Sequence, residues 1–94
     1  MKYLIDFDED VRKVFQHFSP LRKQKIKECL REISLNPFVG KALQENLTGF
    51  YSYRAGHFRI LYIIDKEERI VRLMAIGFRG NVYKELEKHI LGEE

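Results

Sequence analysis

Between Asp8 and Asn36 apolar residues return every three or four positions, whereas from Phe50 to Gly77 they crowd into short runs separated by polar turns. The first pattern predicts helices and the second predicts strands. Val11, Val14, Phe15 and Phe18 fall at i, i+3, i+4 and i+7, one face of a helix that Asp8 can cap. Ser19 as N-cap and Pro20 at the first helical position open a second helix, where the missing proline N–H costs nothing. Ile26, Cys29, Leu30 and Ile33 give this helix its own buried stripe. Pro37 disfavours helical geometry in the residue before it, so the helix should end at Asn36. With almost no loop between them, the two helices predict an αα-hairpin. The short run "KYLIDF" ahead of them reads as a strand.

After a connection of mixed character, "FVGKALQENLTG", three strands are predicted at 50–54, 58–65 and 69–77, with turns at "AGH" and "DKEER". The run 58–65 is apolar on both parities after Arg59, as expected of a central strand with both faces covered. From Asn81 a last helix should run to about Leu91, with Val82, Leu86 and Ile90 on one stripe and Gly92 as its stop. Consecutive strands with short turns pair as an antiparallel meander, and the helical hairpin covers a face of it. The expected fold class is therefore α+β, with a sheet of about four strands: an N-terminal strand, an αα-hairpin, a three-strand meander and a C-terminal helix.

Length and charge narrow the class. At 94 residues the chain is expected to form one domain over 1–94. It carries a formal net charge of +3. Arg22, Lys23, Lys25, Lys27 and Arg31 concentrate within 20–31, while acids gather at 6–10 and at the C-terminal "GEE". This asymmetry favours a basic face compatible with nucleic acid, Lys23 and Lys27 included, although a solvated helix surface would look the same. A lone Cys29 excludes an internal disulfide and suits a small core residue in a reducing cytoplasm. The N-terminus turns acidic too early for a signal peptide, and no run approaches the roughly 20 apolar residues that span a bilayer. A soluble, cytoplasmic protein without a membrane partner is expected.

The arginines carry the candidate chemistry. If 58–65 and 69–77 pair about "DKEER", Arg59 at the start of one strand and Arg79 just beyond the end of the other meet at one sheet edge. Arg54 closes the preceding strand at the same edge, and Tyr83 lies in the first turn of the last helix. Converging guanidinium groups repel one another, and a bound phosphate would relieve that repulsion through bidentate contacts. A helix start at Asn81 would add backbone N–H groups. Spacing alone leaves a second reading open, in which these arginines pair with carboxylates such as Glu45 or Glu85. His57 lies in the turn between Arg54 and Arg59, where it is either an exposed turn residue or a proton shuttle near neutral pH. His17, His57 and His89 have no carboxylate or cysteine at ligand spacing, so no metal site is expected. Tyr51, Tyr53 and Tyr62 read as sheet packing in preference to base stacking.

The ordered set of Leu47 and Gly49, Tyr53 and Arg54, Phe58, Arg59, Ile60 and Tyr62, Gly77 and Arg79, then Val82 and Tyr83 resembles the RelE/ParE toxin superfamily of prokaryotic toxin–antitoxin modules. The likeness extends to the helical hairpin and to Asn36-Pro37, and so to nearly the whole chain. For the RelE branch the resemblance implies a messenger endoribonuclease acting on the ribosome without metal or small-molecule cofactor. The RNA's own 2′-hydroxyl attacks the adjacent phosphorus, leaving a 2′,3′-cyclic phosphate and inhibiting translation. It further implies that Arg59 and Arg79 hold the phosphate, that Tyr83 acts as acid/base or stacks on a base, and that Arg54 is an auxiliary contact. Phe50 and Ser52 depart from the pattern, standing where RelE enzymes carry lysines. The alternative is a ParE-like inhibitor of DNA gyrase, or a toxin that only binds its antitoxin. Either branch implies a cognate antitoxin as partner; the first adds the ribosome and messenger RNA.

Overall fold

The computed structural model describes residues 2–78, 82–84 and 86–87. Strand β1 (Leu4–Phe7) leads into helices α1 (Glu9–Gln16) and α2 (Pro20–Leu35), followed by β2 (Lys41–Ala42), β3 (Phe50–Ala55), β4 (Phe58–Asp65) and β5 (Ile70–Phe78). Residues 82–84 and 86–87 are helical. The rest of the predicted last helix, including Asn81, Ile90, Leu91 and Gly92, lies outside the described residues.

The helix boundaries follow the capping chemistry. Asp8 accepts a hydrogen bond from the Asp10 N–H at 3.2 Å, and Ser19 Oγ accepts one from the Arg22 N–H at 3.3 Å. Pro20 occupies the first turn of α2, and Asn36 caps its end by donating its backbone N–H to the Glu32 carbonyl. The buried stripe is narrower than the heptad spacing suggests. Val11 is buried and Phe15 and Phe18 pack against the core, but Val14 is 44% exposed. An eight-residue helix seated on a twisted sheet reaches it along one edge only, and Val14 falls off that edge.

The sheet has five strands in the order β1-β5-β4-β3-β2. β1 runs parallel to β5; the other neighbours are antiparallel. One strand beyond the expected set is therefore present. β2 is two residues long, too short for alternation to register in sequence, and it is recruited through pairing of Lys41 with Ser52 and Ala42 with Tyr51.

Both faces of β4 are covered, as its two apolar parities require. On one face Ile60 and Tyr62 pack with Val71, Leu73 and Ile76 under α1 and α2, through Val11, Ile26, Leu30 and Ile33. On the other, Leu61 and Ala75 pack with Val82 and Leu86. A register shift at Leu61/Tyr62 changes the parity of β5, so that Leu73 and Ile76 share a face although they are three apart. This bulge explains why 71–77 looks apolar on both parities.

The segment leading into β2 is clamped by a buried phenol. Tyr62 Oη donates to the Pro37 carbonyl at 2.6 Å and accepts the Gly40 N–H at 3.1 Å. Tyr51 stacks on the Tyr62 ring with centroids 5.8 Å apart. Burial pushes the Tyr62 phenol up to about 12, against the opposing effect of the Gly40 N–H. Gly40 is required for close approach: a Cβ there would overlap Tyr62 Oη and come within 3.1 Å of the Ser52 carbonyl. Gly40→Ala is expected to lower unfolding stability by about 1–3 kcal/mol, the usual cost of overpacking. Urea denaturation checks this, and an unchanged midpoint would contradict the clamp.

Candidate functional site

The face of the sheet opposite the helical hairpin carries the polar cluster. Alternation along β3 places Phe50, Ser52 and Arg54 on this face, and along β4 Arg59 joins Leu61 there. Arg54 and Arg59 are direct cross-strand partners, and Arg59 pairs on its other side with Gly77 of β5. The turn between them is the two-residue Gly56-His57, with Gly56 at φ 62°. This is the positive φ that the first position of a type II′ hairpin demands and that glycine supplies without strain.

Arg54, Gly56, His57 and Arg59 line one small cavity of about 200 Å³ at this rim. Arg54 and His57 are exposed and Arg59 is half-buried. Among the described residues neither arginine forms an ion pair; the bridge found is Arg72 Nε to Asp6 Oδ2 at 3.0 Å, elsewhere on the sheet. Glu45 therefore does not neutralise them, and Glu85 lies outside the described residues. The sheet thus sets like charges side by side around a cavity, a geometry that favours an anion between them.

Tyr83 closes the site from the last helix. Arg59 Nη1 donates to Tyr83 Oη at 2.8 Å, and the guanidinium carbon lies 5.5 Å from the ring centroid. Ser52 Oγ is 3.2 Å from the same phenol oxygen, with either hydroxyl able to donate. Burial would raise the Tyr83 pKa, but hydrogen bonds from Ser52 and Arg59 and the charges of Arg59 and Lys41 outweigh it. The net direction is down. Tyr83 therefore becomes phenolate at lower pH than a free tyrosine, which suits it to proton transfer.

Not every residue singled out in the sequence joins this cluster. Arg79 lies outside the described residues. Lys23 and Lys27 sit on α2, whose apolar stripe packs on the opposite face of the sheet; Lys23 lies over the Phe15 ring at 5.9 Å. The basic α2 residues that share a cavity with Gly56 and His57, of about 660 Å³, are instead Arg22 and Lys25. Tyr51, Tyr53 and Tyr62 pack on the helical face. Burial raises the Cys29 thiol above its ordinary range, so it is no activated nucleophile.

Two residues, Ser52 and Lys41, join the cluster beyond the expected site residues. Ser52 lies two positions before Arg54, so strand alternation was a usable signal for its place beside Tyr83. Lys41 had no such signal, because β2 is too short to show one.

Comparison with known proteins gives a family context. A sequence model described as the ParE toxin of the type II toxin–antitoxin system parDE matches residues 2–83. Toxin RelG of Mycobacterium tuberculosis is 30% identical over 86 residues, covering 89% of this chain and 99% of RelG. Among solved structures, the RelBE2 toxin–antitoxin complex of Mycobacterium tuberculosis contains a chain with TM-score 0.77 and 30% identity, covering 84% of this chain and 100% of that one. A mutant of the Escherichia coli toxin RelE in the free state has TM-score 0.75 at 24% identity, over 96% of this chain and 99% of that one, a likeness of fold.

Arg59→Ala removes both a hydrogen-bond donor and a positive charge from Tyr83 Oη. The phenolate absorbance of Tyr83, isolated by subtracting a Tyr83→Phe titration, is expected to appear at higher pH in that variant. A midpoint identical to the wild type would show that Arg59 does not govern this phenol.

Proposed function

The chain belongs to the ParE toxin family of type II toxin–antitoxin systems and has a RelE-like fold, and from that premise we propose that it is a ribosome-dependent messenger endoribonuclease. The carrying observation is the 2.8 Å hydrogen bond from Arg59 to Tyr83 beside the cavity formed by Arg54, His57 and Arg59. Cleavage by internal attack needs cations where charge builds on the phosphoryl oxygens and a group that exchanges protons with the reacting oxygens. Arg59 supplies the cation, its planar fork suited to two phosphoryl oxygens. Tyr83, with its lowered pKa, is the proton-transfer group. Arg54 and His57 hold the flanking backbone.

The 2′-oxygen forms a bond to phosphorus as the bond from phosphorus to the 5′-oxygen breaks. The proton lost by the former is balanced by the proton gained by the latter, so the step balances without an added metal or cofactor. Arg79 is assigned a second phosphate contact on the strength of the family pattern. On the hairpin side, Lys27 is exposed and the half-buried Lys23 lies over the Phe15 ring; both are assigned contacts with ribosomal or messenger RNA outside the cavity. A cognate antitoxin is the expected protein partner, as in the RelBE2 complex of the relative, and the site of action is the cytoplasm.

One observation favours a second reading: the matching family model is that of the ParE toxin. On that reading the chain inhibits DNA gyrase and the arginines are not catalytic. The two are separated by mapping cleaved messenger ends in a translating extract and by a gyrase supercoiling assay. Cut messages with undisturbed supercoiling are expected. Inhibited supercoiling with intact messages would replace the ribonuclease reading.

Arg59→Ala is expected to lower the cleavage rate by roughly 10²–10³-fold. Tyr83→Phe should lower it by about 10²–10⁴-fold and abolish the pH limb that Tyr83 contributes. Single-turnover cleavage on stalled ribosomes measures both, with circular dichroism confirming the fold. Wild-type rates in both variants would remove these residues from the chemistry.

A further inference from the structure

The fifth strand brings a cation to the site from a segment that otherwise reads as a connection. Lys41 and Ser52 are direct partners in the antiparallel pairing of β2 with β3. Partners in such a pair project to the same face of the sheet. Lys41 therefore shares the face of Ser52, Arg54, Arg59 and Tyr83, and Ser52 Oγ itself is 3.2 Å from the Tyr83 phenol.

Its position is fixed, although its side chain is exposed. The residue before it, Gly40, donates its N–H to the buried Tyr62 hydroxyl, which in turn holds the Pro37 carbonyl. On the other side, the Leu43 N–H donates to the Phe50 carbonyl at 2.9 Å. The backbone of Lys41 is thus anchored at both ends. Among the described residues Lys41 forms no ion pair, so its charge is available to a ligand.

The spacing fits an extended polyanion. Lys41 stands opposite Ser52 and Arg59 opposite Arg54, so their Cα atoms are separated by two strand spacings across the sheet and two residues along it. That is roughly 12 Å, wide enough for the two cations to engage different phosphates of one strand laid across β2, β3 and β4. The Lys41 charge is also among the causes that lower the Tyr83 pKa, as expected of a cation on the same face.

We propose that Lys41 is a further nucleic-acid-binding residue of this site, its ammonium group contacting a backbone phosphate of the single-stranded RNA that Arg59 and Tyr83 act upon. This rests on the ribonuclease reading. The test uses the full chain and a short single-stranded RNA with 2′-O-methyl groups, which binds but has no nucleophile. Fluorescence anisotropy gives affinity as a function of salt. Each phosphate contact adds about 0.7 to the slope of log affinity against log salt for a single strand. Lys41→Ala should flatten that slope by about 0.7, while Lys41→Arg keeps it. In the protein without RNA, Lys41→Ala should also move the Tyr83 phenolate midpoint to higher pH, a change that a merely structural lysine would not cause.

A wild-type slope near zero would overturn this inference, whereas the ribonuclease reading falls only if messages stay intact in the translating extract. A steep wild-type slope that Lys41→Ala leaves unaltered would overturn the role of Lys41 alone. Urea denaturation accompanies each variant. A Lys41→Ala midpoint well below the wild type, with the binding defect persisting in Lys41→Arg, would reassign the residue to structure.

Discussion

Everything at this site depends on the register of β4 against its two neighbours. Pairing Arg54 with Arg59 and Arg59 with Gly77 puts both guanidinium groups on one face and leaves a residue without a side chain on the far flank. A slip by one residue would send Arg59 into the core under α1 and α2 and turn Ile60 toward the site. That alternative is closed by the two-sided character of the strand. Ile60 and Tyr62 are fully packed on the hairpin face, and Leu61 is fully packed against Val82 and Leu86. The energy that fixes the arginines is thus hydrophobic, and it comes from residues that never meet a ligand.

Local electrostatics run the other way. Adjacent cations on paired strands destabilise a sheet, and among the described residues no carboxylate bonds to either arginine. Tyr83 partly answers this, since its oxygen accepts an Arg59 N–H and its phenolate form is favoured there. A core-strand register that holds like charges together, with a polarised phenol as the partner of Arg59, leaves a net positive cavity. Such a cavity gains most from a ligand carrying negative charge on several oxygens, which is the form of a phosphodiester in the transition state of its cleavage.

Much of this was legible in the residues. Ser19-Pro20, Asn36-Pro37 and the apolar stripes gave both helices, and the two apolar parities of 58–65 marked the central strand. The meeting of Arg54 with Arg59 followed from strand alternation and turn length, and the tyrosines on 51, 53 and 62 were read as packing, where the structure puts them. What escaped did so for physical reasons. A two-residue strand has no period, and the hydrogen bonds that recruit it come from a tyrosine 22 residues beyond Gly40. The bulge at Leu61/Tyr62 changes which β5 residues share a face, and nothing in the run "VRLMAIG" marks where it falls. The basic stripe of α2 looked like part of the same surface because charge along a chain carries no information on which side of a sheet a helix will lie.

The division between the faces also separates stability from chemistry. The hairpin face holds the larger core and the aromatic chain Phe7, Phe15, Phe18 and Phe58, whose rings meet at centroid distances of 5.2, 6.2 and 5.4 Å. It also holds the bond from the Tyr53 hydroxyl to Glu32 that ties β3 to α2. Among the described residues the opposite face is covered by a cluster around Leu61, Ala75, Val82 and Leu86, and Tyr83 sits next to Val82 in that cover. The phenol that completes the site is therefore carried by the layer opposite the helical hairpin. Any partner that displaces Val82 and Leu86 from the sheet must also withdraw Tyr83 from Arg59. Because the cover and the phenol belong to the same segment, both leave the sheet together while β4 and its arginines stay in place.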